Sequence, residues 1–170
     1  MSLLRLPAGE RVPDRLNAVV ETPMHSRGRY EYDLRLSAFR FAARLSPGVT
    51  YPLDYGFIPS TMSVDGFPLD VFLLGDEPTF PGCVIECRPV GLLNLTDGRR
   101  PDHKILAVPL FNENLAGVRD LPDVPPGILE RLSEFLRANP LLSGSREDVG
   151  EWEGAEAAKQ VIFLAWEGFL

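Results

Sequence analysis

A turn that leads directly into a short apolar strand, within residues 64–74, sets the strongest limit on how this chain can fold. The dipeptide Asp65-Gly66 favours a tight turn. A residue that precedes proline is pushed toward extended geometry, so Phe67 should lie stretched and displayed ahead of Pro68. The next residues, Val-Phe-Leu-Leu at 71–74, predict a short buried strand.

Two carboxylates, those of Asp65 and Asp70, flank this turn. At the mouth of a buried strand they should be held close together, and an oxygen-rich cluster of this kind suits Mg²⁺ or a similar hard cation. Acidic residues are also common at turns as solvated turn formers. The turn alone is therefore compatible with a metal site and with an ordinary surface turn, and residues elsewhere in the chain are needed to distinguish the two.

The chain is divided into many short elements by sixteen prolines and fifteen glycines, spread over all 170 residues. Strands are predicted at 17–22, 29–33, 34–43 with a bend near Ser37, around 51–59, at 71–74, at 83–95 with interruptions at Pro89 and Gly91, and at 105–108. Two helices are predicted after Pro109, one from Pro125-Pro126 to Asn139-Pro140 and one over 153–167. Residues 1–170 should therefore form a single α+β domain, a small closed antiparallel β-barrel (OB-like) flanked by two main helices.

The acidic composition limits the kinds of molecule that the protein can bind. The net charge of −7 and the pI near 4.9 argue against binding to nucleic acid or to an anionic membrane, but not against a small anionic ligand that is met by metals and a few cationic side chains.

Cys83 and Cys87 would lie about 13 Å apart along one strand, too far for a disulfide. Free thiols, no signal peptide and no membrane-length apolar run predict a cytoplasmic protein.

Polar residues that could carry chemistry lie on or beside the predicted strands. Taken singly, each of them would ordinarily be a solvated strand edge. Together they combine acids that can hold divalent cations with cations that can neutralise phosphoryl oxygens, the pattern that a metal–phosphate site requires. The set comprises Glu21, Arg29, Glu31, Arg44, Tyr55, Asp65, Asp70, Asp97, Asp102 and Lys104.

Six motifs, found in one order along the chain, resemble those of the soluble inorganic pyrophosphatases of family I. They are Glu21-x-Pro-x-x-Ser-x-x-Arg29-Tyr30-Glu31, Tyr51-Pro-x-x-Tyr55-Gly-Phe-Ile-Pro, Asp65-Gly-x-Pro-Leu-Asp70-Val, Asp76-Glu-Pro-Thr-Phe-Pro-Gly, Asp97 with Asp102-x-Lys104-Ile-Leu-Ala-Val-Pro, and Trp152-x-Gly-Ala-Glu-Ala-Ala-Lys159. The resemblance spans about residues 17 to 165, and motifs this dense in one order are specific.

The resemblance implies a small β-barrel, dependence on Mg²⁺ (with Mn²⁺ as a substitute), hydrolysis of diphosphate to two orthophosphates, and a homohexamer. It assigns the tightest metal to Asp65, Asp70 and Asp102, with Asp70 bridging to a second ion. It implies further roles as follows: Asp97 for metals that arrive with substrate, Glu21 and Glu31 for an outer acidic wall, Arg29, Arg44 and Lys104 for phosphate, and Tyr55, Asp70 and Lys104 for catalysis, with Tyr55 beside the nucleophilic water.

The chain departs from the family pattern around the same site. Phe67 stands where the family has the carboxylate that is the usual candidate for the general base. Arg29 replaces a lysine, which keeps the charge but alters the geometry. Gly98 replaces an acid beside Asp97. Asn139-Pro140 stands where a Tyr-Lys phosphate grip is expected, and Arg146 would restore one positive charge there.

Two functions remain open from the sequence. The first is a divergent Mg²⁺-dependent pyrophosphatase with reduced activity or with a preference for a related phosphoanhydride. It is favoured because a metal-bound hydroxide can attack without its preferred base. The alternative is a catalytically degenerate module that keeps the fold and one metal and serves as a phosphate or metal sensor or as an oligomer partner. A phosphate-release assay with and without Mg²⁺ separates the two.

Overall fold

Five strands close into a ring in the computed structural model of the protein, which describes residues 2–139 and 147–170. The strands are β1 (Leu16–Thr22), β2 (Gly28–Asp33), β3 (Ala38–Arg44), β4 (Asp54–Ile58), β5 (Leu69–Leu73), β6 (Val84–Asp97), β7 (Arg100–Pro101), β8 (Lys104–Pro109) and β9 (Glu147–Gly154). The helices are α1 (Ile128–Ala138) and α2 (Ala155–Glu167), with short 3₁₀ turns at Leu3–Arg5, Glu113–Leu115 and Leu121–Asp123.

The ring runs β1-β4-β5-β8-β6, and β6 pairs back with β1 to close it. Because closure leaves no free edge among these strands, their backbone groups are satisfied within the sheet. The predicted closed barrel of the α+β class is confirmed. One pairing of the ring, β5 with β8, is parallel rather than antiparallel. The excursion through β6 and β7 supplies the long connection that a parallel pair needs.

Alternate residues of β5 enter two different apolar clusters, because successive side chains of a strand point to opposite faces. Phe72 packs in one cluster with Leu132 of α1. Val71 packs in the other with Ile162 of α2. Both faces of the strand are therefore buried, which explains why the sequence there is continuously apolar. The observed strand begins at Leu69, so Asp70 lies inside it rather than ahead of it.

Strands β2 and β3 form a separate two-stranded hairpin that is not part of the barrel sheet. Its turn passes through Ser37, which has a φ of 51°, at the predicted bend. The register sets Glu31 opposite Arg40, and a bulge interrupts the ladder between Arg29 and Tyr30.

The two helices close the architecture. Helix α1 ends at Ala138, and the predicted stop, Asn139, is its C-cap, with the side-chain Nδ2 donating to the carbonyl of Phe135 at 2.7 Å. Helix α2 starts two residues later than predicted, because Glu153 pairs with Leu92 in the β9–β6 ladder. In the part of the chain that the structure describes, no helix has both the length and the apolar character needed to cross a membrane.

Candidate active site

The Asp65 loop is held by hydrogen bonds among its own residues. The Asp65 carboxylate accepts the backbone N–H of Phe67 at 2.9 Å, and the Phe67 carbonyl accepts the N–H of Ser63 at 2.8 Å. Gly66 has a φ of 84°, a conformation that glycine adopts at little cost. As predicted, Phe67 is displayed: it is 70% exposed.

A buried lysine joins two of the predicted acidic residues. Lys104 opens β8 directly opposite Asp70 of β5 in the parallel ladder. Its Nζ lies 2.5 Å from Oδ2 of Asp70, and 3.0 and 2.9 Å from Oδ1 and Oδ2 of Asp102. The residue is only 3% exposed. Burial opposes the charged ammonium, but the two carboxylates hold the pKa of Lys104 above its ordinary value.

The carboxyl group of Glu21 lies in a poorly solvated position. Its Oε1 accepts the backbone N–H of Tyr32 at 2.8 Å, which ties β1 to the hairpin. Loss of solvent raises the pKa of Glu21 to about 7, and the charges of Asp70 and Glu31 act in the same direction. Glu21 is therefore a carboxyl group that can hold or release a proton near neutral pH.

Two tyrosines form the apolar wall beside these acids. Tyr51 and Tyr55 have ring centroids 5.8 Å apart, and Tyr55 also packs on Phe72 at 4.9 Å. Burial raises the pKa of Tyr51 to about 12 and that of Tyr55 well above its ordinary value, with Asp70 acting in the same direction on both. Both phenols stay protonated at neutral pH, so they can donate hydrogen bonds but cannot act as bases.

The hydroxyl of Tyr51 is buried and makes no hydrogen bond of ordinary geometry among the described residues, although the Thr22 side chain lies close enough to lower its pKa. A buried polar group of this kind is costly unless something else satisfies it. The charges of Arg29 and Glu21 both influence this phenol. Sequence reasoning assigned no role to Tyr51, although the residue stands four positions before Tyr55 in the same motif.

Glu31 lies between two guanidinium groups. Its Oε1 accepts from Nε and Nη2 of Arg40 at 3.0 and 2.8 Å, and its Oε2 lies 3.8 Å from Nη2 of Arg29. Arg29 and Glu31 therefore share one side of the hairpin, as the alternation of β2 predicts. Arg40 was missed by sequence reasoning, because the pairing depends on the hairpin register.

Three other predicted site residues are exposed. Asp65 caps its own loop, and the backbone of Asp97 lies opposite that of Arg100 in the β6–β7 ladder. Gly98 follows Asp97 with a φ of 62°, so the turn has a conformational reason for glycine there. Arg44 ends β3 with its guanidinium carbon 5.9 Å from the centroid of the Phe41 ring.

The structure thus brings Asp70, Asp102 and Lys104 together. Within residues 2–139 and 147–170, no group of three His, Cys, Asp or Glu side chains has a metal-binding arrangement. The metal roles of the acids remain predictions, as do those of Arg29, Arg44 and Lys104 toward phosphate. Asn139 is buried and ends α1, while Pro140 and Arg146 lie outside the described residues.

The chain is similar to known proteins over almost all of its length. Residues 18–168 match the family model described as inorganic pyrophosphatase. The sequence is 41% identical to the inorganic pyrophosphatase of Nostoc sp. over 162 residues, 95% of each chain. It is 40% identical to that of Methanosarcina acetivorans over 154 residues, 91% of this chain and 92% of the other. The crystal structure of inorganic pyrophosphatase from Thermus thermophilus superposes with a TM-score of 0.93 at 34% identity and covers 99% of both chains.

Proposed function

The chain belongs to the inorganic pyrophosphatase family, and from this premise we propose that it hydrolyses diphosphate to two orthophosphates with the help of Mg²⁺. Family membership makes the protein an inorganic diphosphatase. The identity of the metal, the roles of individual residues and the level of activity are further parts of this proposal.

The observation that carries the proposal is the convergence of Asp70 and Asp102 on the Lys104 ammonium. The closed barrel places β5 beside β8 and so brings together side chains that are distant in the sequence. Two carboxylates that already share one positive charge provide a site for cations. A buried lysine beside them provides a donor for a phosphoryl oxygen.

The donor chemistry of this site fits Mg²⁺. Mg²⁺ prefers oxygen ligands and is commonly held by one or two carboxylates together with waters and substrate phosphates. Asp70 and Asp102 supply two carboxylates, and Glu21 adds a third acidic group whose charge influences the same region. When bound, the metal would lower the pKa of a coordinated water and neutralise phosphoryl charge. On the family resemblance, Asp65 and Asp97 are proposed as further metal ligands, and Glu31 as part of the outer acidic wall.

The protein's own groups have distinct parts in this proposal. Tyr55 remains protonated because it is buried, so its hydroxyl can donate to and orient a water or phosphoryl oxygen. Arg29 lies close enough to influence Glu21 and both tyrosines, Tyr51 and Tyr55, so its charge can neutralise an anion bound beside these three residues. Arg44 is accessible to a phosphoryl group at the end of β3.

We propose that Phe67 lowers the rate of hydrolysis, because its aromatic ring replaces the carboxylate that is expected to act as general base. General-base catalysis contributes about 10²–10⁴-fold to a rate. Loss of such a group would leave the attacking water oriented by metal contacts and by Tyr55 alone.

A steady-state assay of phosphate release from diphosphate, run with Mg²⁺ and with a chelator, tests the proposed activity. Mg²⁺-dependent release of phosphate is expected, and absence of phosphate release at any metal concentration would contradict the proposed activity.

Phe67→Asp tests the reduced rate, and phosphate release should rise by about one to four powers of ten. Phe67→Asn is the matched control, because it is polar but cannot take up a proton. A slow wild type with no gain in Phe67→Asp would instead favour a binding module. A fast wild type would show that another group serves as the base.

We also propose a homohexamer in the cytoplasm. The hexamer rests on the family resemblance alone, and static light scattering that gave a monomer at micromolar concentration would contradict it. The free thiols of Cys83 and Cys87 support a reducing compartment.

A further inference from the structure

We propose that Arg40 is a positioning residue that holds the Glu31 carboxylate and takes the place of a divalent cation beside it. The inference rests on the proposed function, since it concerns how many metal ions the outer acidic wall can hold. Arg40 belongs to none of the motifs that carry the family resemblance. Its role follows from the register and contacts of the β2–β3 hairpin.

The hairpin fixes Arg40 on the same side as Glu31. The two residues face each other directly in the antiparallel ladder, where opposing side chains lie close enough to interact. Both Nε and Nη2 of Arg40 donate to one oxygen, Oε1 of Glu31. Two donors from one planar guanidinium anchor this oxygen more firmly than the single contact of a lysine would.

The second oxygen of Glu31 also faces a cation, Nη2 of Arg29 at 3.8 Å. Arg40 extends the arrangement to Asp33, whose Oδ2 lies 3.8 Å from Nε. The Glu31 carboxylate thus has a guanidinium at each oxygen and carries little uncompensated charge. A divalent cation at Glu31 would have to displace Arg40 or share the carboxylate with it.

Glu31 is linked electrostatically to the rest of the site. Its charge acts on Glu21, which is in turn influenced by Asp70. By neutralising Glu31, Arg40 lowers the negative potential that would draw a further divalent cation to this wall. Arg40 thereby keeps a fixed positive charge beside Glu31.

The experiment compares Arg40→Gln and Arg40→Lys with wild type by calorimetric titration of Mg²⁺ alone into metal-free protein. Arg35→Gln is the matched control: it removes the same charge from the same hairpin, but Arg35 contacts Asp33 rather than Glu31 and is 88% exposed. An exposed ion pair of this kind is a small contribution to stability, so the variants should remain folded.

Arg40→Gln should bind Mg²⁺ with a half-saturating concentration lowered about two- to fivefold, or with an added weak binding event. Arg40→Lys should fall between it and wild type, and Arg35→Gln should match wild type. In a Glu31→Gln background the effect of Arg40→Gln should vanish. An unchanged titration for Arg40→Gln, or an equal shift for Arg35→Gln, would overturn the role of Arg40 alone. Absence of Mg²⁺ binding by wild type would overturn the proposed metal dependence and the role of Arg40 with it.

A steady-state readout separates positioning from mere folding. If Arg40 acts through Glu31, Arg40→Gln should shift the Mg²⁺ concentration that gives half-maximal rate, while thermal midpoints measured in chelator change little. A fall in the thermal midpoint with unchanged Mg²⁺ dependence would assign Arg40 to hairpin stability only and overturn the proposal.

Discussion

Removal of the Lys104 charge should destabilise the metal-free protein strongly. In Lys104→Met the straight side chain is kept, but Asp70 and Asp102 lose the cation that both contact. Their side chains are only 27% and 19% exposed, so water compensates them incompletely. Breaking a buried ion pair by removing one partner costs about 3–5 kcal/mol. Partial solvation of the two acids places the expectation at the lower end, about 3 kcal/mol.

Lys159→Met provides the matched control. Lys159 also contacts two carboxylates, Asp14 at 2.9 Å and Glu156 at 3.3 Å. However, it lies on the outer side of α2, and the Glu156 side chain is 85% exposed. Exposed pairs contribute about 0–1 kcal/mol, so this variant should lose no more than that. The same residue change therefore separates loss of a buried charge from loss of a lysine.

The assay is urea unfolding in chelator at one fixed protein concentration, because oligomerisation makes apparent stability depend on concentration. Mg²⁺ should then restore more stability to Lys104→Met than it adds to wild type, since the two carboxylates no longer hold an ammonium. Equal stability of the Lys104 and Lys159 variants in chelator would refute the reasoning, as would a Lys104 variant that gained nothing from Mg²⁺.

Two further predictions concern acids of the site. Glu21 has a folded-state pKa of about 7 against an ordinary 4.5, so the folded protein binds the proton more tightly than the unfolded chain. Its stabilising effect is full below pH 4.5 and is lost as pH rises through 7, with an upper limit of about 3 kcal/mol. In chelator, Glu21→Gln should therefore gain stability over wild type between pH 5 and pH 8, and a constant difference in urea midpoint would contradict this. Asp102→Ala should weaken Mg²⁺ and Mn²⁺ binding in calorimetry, and an unaltered affinity would remove Asp102 from the metal site.

Local chemistry made part of the site predictable. The Asp-Gly turn with its left-handed Gly66, the displayed Phe67 and the buried strand after it all follow from neighbours in the sequence. The end of α1 at Asn139 is equally local. Such features depend on a few neighbouring residues whose conformational preferences agree with one another and with the tertiary fold.

The contacts of Lys104 and Arg40 do not follow from neighbouring residues in the sequence. Lys104 meets Asp70 because β5 and β8 pair in parallel across a long excursion through β6 and β7, and periodicity carries no information on that register. Arg40 meets Glu31 across a hairpin whose turn at Ser37 was predicted, so a residue count from that turn could have found it. The bulge beside Tyr30 limits such counting to residues nearer the turn.

The hydrogen bonds of Lys104 imply that its grip on phosphate and the charge state of its neighbours are coupled. An ammonium has three donors, and among the described residues the three oxygens that accept from Nζ belong to Asp70 and Asp102. Lys104 can donate to a phosphoryl oxygen only if one of these contacts is given up, and this is least costly when another cation neutralises the carboxylates. Calorimetry with orthophosphate should therefore show a rise in affinity on addition of Mg²⁺ that is larger for wild type than for Lys104→Met. An equal rise in both proteins would assign the dependence to metal–phosphate contact and leave Lys104 on its two aspartates throughout.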